Sequence, residues 1–162
     1  MTHEHHHEHH GDIRAALGEH AFFAGMDARH LDTIARMATW SEHPAHAWLA
    51  HAGDPPDWFH AVVDGRVGIE IDAAGRDPLI VATLHPGDVA GWSWFVDRHP
   101  WQFDVVALDP VRTVAIDVDR LLDACASSEG LLHELTTRLS KVVASRLHDT
   151  RMQLVDVYGS DR

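Results

Sequence analysis

Two groups of residues in this sequence have the types and spacing to do chemistry. The first is His3, His5, His6, His7, His9 and His10, six imidazoles in the opening MTHEHHHEHH, from a chain total of 16. Imidazole readily binds Zn²⁺, Ni²⁺ and Cu²⁺, so the tract is a candidate site for a divalent metal. Glu4 and Glu8 interrupt the run, which sets it apart from a plain expression tag. The competing reading is a solvated, disordered tail over residues 1–11 that binds metal only adventitiously. The second group is GWSWFVDRHPWQF, where Trp92, Trp94, Phe95, Trp101 and Phe103 crowd around Ser93, Arg98 and Gln102. Aromatics this dense indicate either a pocket for something flat or apolar, or a solid core.

The remaining histidines are less informative. His43, His46, His51 and His60 cluster in one stretch, and His46 with His60 would hold a metal or haem iron if they met across a sheet. Their spacing is not diagnostic, and surface histidines are the plainer reading. No nucleophile elbow, H-E-x-x-H pair or glycine-rich phosphate loop occurs, so the chain reads as a non-enzyme. Cys125, the single cysteine, excludes an internal disulfide and reads as a small buried hydrophobe.

The elements that must position these residues follow from periodicity. At 162 residues, 45% hydrophobic and 23% charged, the chain suits one folded domain, set at 12–162. Asp12 and Asp27 are expected to cap two short helices, the first closed by Gly18. After Trp40, short apolar pieces alternate with Gly/Pro/Asp clusters. Val67, Ile69 and Ile71 alternate with polar neighbours, and Leu79–Leu84, Val105–Leu108 and Thr113–Ile116 are rich in β-branched residues. Many short strands at regular spacing predict a sandwich or barrel, here over about 41–117. Asp119 is expected to cap a further short helix, and a long helix follows from about Ser128 to Val157, placing helices over about 119–157. Thr136, Val143, Thr150 and Val157 fall seven apart, a seam suited to a second copy, while the helix's first half is expected to pack on the barrel. No apolar run approaches the ~20 residues of a membrane span, and no signal peptide is visible, so a cytoplasmic protein is expected.

Three motifs add to this. Gly53 to Val67, GDPPDWFHAVVDGRV, is similar to a "G-D-x-x-x-x-h-h-x-h-h-x-G-x-V" hairpin; Leu84 to Gly91, LHPGDVAG, to "L-x-x-G-D-h-h-G"; and LTTRLSKVVASRL, Leu135 to Leu147, to a dimer helix. In this order and spacing the chain resembles the cyclic-nucleotide-binding domain of the Crp/Fnr regulators, from roughly Leu17 to Tyr158. The resemblance implies a mainly β fold with flanking helices: a double-stranded β-helix (jelly-roll) barrel, N-terminal helices and a long C-terminal dimerisation helix. It also implies a ligand-binding cassette at Gly91, Trp92, Ser93, Arg98, Trp101, Gln102 and Phe103, with Thr150 where the final helix offers a hydroxyl to the base.

The cassette departs from the family pattern. A Glu that binds the ribose hydroxyl is replaced by Trp92, and counting from Gly87 places Gln102 where an Arg would pair with the cyclic phosphate. A buried phosphate needs a cation or several donors, so tight cyclic-nucleotide binding is not expected. Arg98 is the one cation within the segment. The family's regulators continue into a helix-turn-helix domain, whereas this sequence stops at Arg162; with 13 Lys+Arg against 25 Asp+Glu, a net −12, direct DNA binding is not expected. The expected protein is a stand-alone, homodimeric regulatory sensor acting through an unfamiliar ligand or a protein partner. The rivals are a Ni/Zn-handling protein using its His-rich end, with the barrel as scaffold, and a haem-based sensor.

Overall fold

A computed structural model describes residues 3–159, with side chains described from Gly11 onward except Val96. The elements run α1 (His3–Glu19), α2 (Ala28–Ala35), β1 (Ala38–His43), β2 (Trp48–Ala50), β3 (Trp58–Asp64), β4 (Val67–Ile71), β5 (Leu79–Leu84), β6 (Val89–Ala90), α3 (Trp94–Asp97), β7 (Asp104–Ala107), β8 (Val111–Asp117), α4 (Val118–Ser127) and α5 (Glu129–Gly159). The strands form two four-stranded sheets, ordered β1-β8-β3-β6 and β2-β7-β4-β5, with antiparallel pairing throughout. This is the expected jelly-roll arrangement.

The barrel interior is apolar because alternate strand residues face inward. Ala50, Val62, Val67, Leu84, Ala90, Val105, Ala107 and Val111 are buried there together with Trp101. On β3, Phe59 joins a second cluster: its ring meets Phe22 at 5.7 Å and Trp94 at 5.8 Å between centroids. His20 ties the chain after α1 to this sheet. Its Nδ1 accepts from the Phe22 N–H at 3.2 Å, which leaves Nε2–H to donate to the Val62 carbonyl at 2.9 Å. Burial lowers the His20 pKa, in keeping with that neutral tautomer.

Three expectations need correction. The segment expected to be a disordered tail is helical from His3, and α1 runs through Gly18 to Glu19. Once the turn around Ile13 and Leu17 is fixed by burial, extending a helix costs far less than nucleating one, and a lone Gly does not end it. The second helix ends at Ala35, and its Asp27 cap is as expected: the carboxylate accepts from the Arg29 N–H at 2.9 Å. Asp119 does not cap α4. The cap is Asp117, whose carboxylate accepts from the Arg120 N–H at 3.0 Å, because β8 runs directly into the helix.

Compact units divide at Ala124/Cys125. In the second, Ser128 Oγ accepts from the Leu131 N–H at 3.2 Å and opens α5. Leu131, Leu135 and Leu139 are buried, whereas Val143, Leu147, Leu154 and Val157 are exposed. Burial of Cys125 raises its thiol pKa, as befits a packed hydrophobe. Among the described residues, no helix is long and apolar enough to cross a membrane.

Candidate functional site

The cassette hangs between β6 and β7. Its entry is a tight turn: the Asp88 carboxylate accepts from the His85 N–H at 2.8 Å, and the Gly87 N–H, at φ 98°, donates to the Val62 carbonyl at 3.0 Å. Strand β6 follows, pairing Ala90 with His60 on β3. Gly91, at φ 82°, then turns the chain into Trp92–Ser93 and the four-residue α3, and Arg98 ends α3 in the left-handed region at φ 46°.

The return to β7 places Trp101 inside the barrel. Its N–H donates to the Asp54 carbonyl at 2.9 Å and its carbonyl accepts from the Gly53 N–H at 2.7 Å, so the backbone is held by the β2–β3 loop. Its indole lies against Gly91, where a Cβ would come within 2.6 Å of Cη2 and 2.8 Å of the Trp58 carbonyl oxygen. Gly91→Ala is therefore expected to destabilise the fold by about 2 kcal/mol, combining strain at positive φ with overpacking. Gly75→Ala is the control in chemical denaturation, since Gly75 has φ 78° but nothing within 4 Å of the added Cβ. Equal losses at both positions would show that the Trp101 contact carries no weight.

The structure brings Gly91 and Trp101 together but disperses the other candidates. Gln102 and Phe103 are exposed. Trp101, Gln102 and Phe103 all lie in the loop before β7, which begins at Asp104, and there Trp101 turns inward while Gln102 and Phe103 face outward. The side chain that enters the barrel from this segment is the Trp101 indole. Arg98 pairs instead with Asp119 Oδ1 at 2.6 Å, at the start of α4, and is half exposed. Ser93 Oγ donates to the His99 carbonyl at a long 3.4 Å. Trp92 is half-buried, and Asp104 Oδ1 accepts from the Ala52 N–H at 2.8 Å. Thr150, on α5, donates Oγ1 to the Arg146 carbonyl at 2.9 Å and is exposed. Val96, between them in the cassette, is outside the described side chains.

One buried polar group faces this interior. His60 is 5% exposed, its Nδ1 lies 3.0 Å from Thr113 Oγ1, and its ring is 6.5 Å from that of Trp101. Desolvation, aided by nearby His43, lowers its pKa to about 4, so it is neutral at pH 7. The expected approach of His46 is not found. His43 is the neighbour, 6.4 Å away between ring centroids, because it ends β1 on the same sheet, while His46 lies in the following turn at φ 70°. His43 Nε2 is itself hydrogen-bonded with Ser41 Oγ at 2.8 Å. Among the described residues, no three His, Cys, Asp or Glu side chains gather as metal ligands. The metal expectation for His3, His5, His6, His7, His9 and His10 falls outside the described side chains.

A cavity of about 180 Å³ remains beside Trp101, lined by Leu49, Ala50, Asp54, Pro55, Asp57, Trp58, His60 and Trp101. It is smaller than the roughly 300–1,000 Å³ of sites that enclose drug-sized ligands. Reading the sequence missed Asp54, Asp57 and Trp58 as site residues. Their signal was present in GDPPDW, where a Pro-stiffened loop carries two acids and an exposed indole next to a strand.

Two antiparallel sheets closed on an apolar core, with a cassette between β6 and β7, define a jelly-roll domain. Residues 40–128 match the cyclic nucleotide-binding domain, and the chain belongs to that family. Similar solved structures include a cyclic nucleotide-binding domain from Methylobacillus flagellatus KT, with 17% identity and TM-score 0.76, covering 92% of this chain and 84% of that one. A putative cyclic nucleotide-binding protein from Geobacter metallireducens GS-15 has 22% identity and TM-score 0.73, with coverages of 85% and 97%. The regulatory subunit of a cAMP-independent protein kinase A from Trypanosoma brucei has 18% identity and TM-score 0.73, covering 91% of this chain and 52% of that one. No curated protein matches.

Proposed function

We propose that this is a non-enzymatic regulatory domain that keeps the cyclic-nucleotide-binding fold without binding cyclic AMP or cyclic GMP. The observation that carries this reading is the Trp101 indole inside the barrel, with no Lys or Arg among the residues that line the cavity beside it. A cyclic phosphate in that place would be an unpaired buried anion, which is very costly. Arg98, the one Lys or Arg in residues 91–103, is engaged by Asp119. The regulatory subunit of a cAMP-independent protein kinase A from T. brucei shares this fold. Calorimetric titration with cyclic AMP and cyclic GMP is expected to give no binding heat; saturable micromolar binding of either would end this reading.

The regulatory output is proposed to run through a homodimer and a protein partner. Val143, Leu147, Thr150, Leu154 and Val157 recur at alternating steps of four and three residues along α5, the spacing of a coiled-coil seam, and all five are exposed in the single chain. Sedimentation equilibrium should show a dimer in the wild type and a monomer in the Leu147→Glu, Leu154→Glu double variant. A monomeric wild type would rule the seam out.

A further inference from the structure

The cavity beside Trp101 has a chemistry opposite to that of a phosphate site. Two acidic residues, Asp54 and Asp57, and two tryptophans, Trp58 and Trp101, are among its lining residues, the Asp54 carboxylate also accepting from the His51 N–H at 2.8 Å, and no Lys or Arg lines it. Trp58 is half exposed, so the cavity is reachable from solvent along that ring. His60 supplies a second, independent indication of a ligand. It lines the cavity while almost wholly buried, and the one hydrogen bond its ring makes among the described residues is that of Nδ1 with Thr113, which leaves Nε2 to whatever fills the cavity. Buried polar groups are normally satisfied, by protein, water or ligand.

Aromatic faces attract cations through their quadrupole, and carboxylates strengthen that preference; an anion meets repulsion from the same walls. The volume, about 180 Å³, limits the occupant to a small molecule. We propose that this cavity binds a small organic cation, a protonated primary amine with a short apolar or aromatic tail. The ammonium lies near Asp54 and Asp57, the tail lies against Trp58 and Trp101, and His60 Nε2 serves as a hydrogen-bonding group. The inference rests on the reading of the domain as a sensor that no longer takes a nucleotide, and it names the class of ligand sensed.

The test uses the full chain at constant ionic strength, titrated with butylammonium and benzylammonium chloride and, in parallel, with butanol and benzyl alcohol. Tryptophan fluorescence and calorimetry are the readouts. Saturable binding of the ammonium ions, at least about tenfold tighter than the alcohols, is the expected result. Asp57→Asn should weaken the ammonium ions by about tenfold or more while leaving thermal unfolding unchanged, since Asp57 is an exposed side chain. Equal binding of the alcohols, indifference to Asp57→Asn, or no saturation up to about 10 mM would overturn the proposal. Cyclic AMP included in the same series separates the two levels. Nucleotide binding would refute the reading beneath the inference, whereas failure of the amines alone would refute only the inference.

Discussion

Trp101→Ala is expected to lower the unfolding free energy by about 3–5 kcal/mol, the usual cost of removing a buried Trp side chain. The indole is buried in one cluster with inward residues of both sheets and lies on Gly91, whose missing Cβ leaves the room it occupies. Its neighbours Ala50, Ala90 and Ala107 are too small to collapse into the void, so most of the cavity cost should remain. The Trp101 backbone bonds to Gly53 and Asp54 are unaffected by the substitution, which confines the loss to packing. Urea denaturation provides the measurement, and an unchanged slope with a lower midpoint would identify a pure stability effect. A loss below about 1 kcal/mol would mean that the indole is peripheral to the core.

The second large effect is a pH dependence centred on His60. Its pKa falls from 6.5 to about 4 on folding, through desolvation first and the charge of His43 second. Between those values the unfolded chain binds the extra proton and the native chain does not, so stability rises with pH across that window. The contribution is complete above pH 6.5 and is lost progressively as pH falls to about 4. At about 1.4 kcal/mol per pH unit, the loss is about 3 kcal/mol. His20, whose pKa burial also lowers, acts in the same direction. Unfolding free energies of wild type and His60→Asn between pH 7 and 4.5 should converge as the pH falls. Parallel profiles for the two proteins would show that His60 does not carry the dependence.

The strands were legible because their chemistry is local. Val67–Ile71 and Leu79–Leu84 stand where alternation and β-branched residues put them, and both turns that flank them carry the expected Gly and Asp. The α5 start was legible for the same reason, in the hydroxyl of Ser128. The cassette was not, because which of its side chains turn inward is set in a loop without regular secondary structure. Gln102 and Trp101 are neighbours in sequence, yet one faces solvent and the other the core, and a count along an irregular loop cannot resolve a step of one. Arg98 illustrates a different limit. Its partner Asp119 is distant in sequence, and nothing local in DRHPW announces the pairing. The cavity walls from Asp54, Trp58 and Trp101 likewise meet only through tertiary folding.

Trp101 can also be regarded as a ligand tethered to its own binding site. A molecule seeking the same interior space meets only the fraction of chains in which the indole has withdrawn, and its apparent Kd is the intrinsic Kd divided by that fraction. With withdrawal costing about 3–5 kcal/mol, the fraction lies between roughly one in a hundred and one in several thousand. The interior is therefore guarded by mass action: a competitor with micromolar intrinsic affinity would register only at concentrations in the range of roughly 0.1 mM to several mM. A ligand in the adjoining cavity escapes this penalty, because it uses the seated indole as a wall.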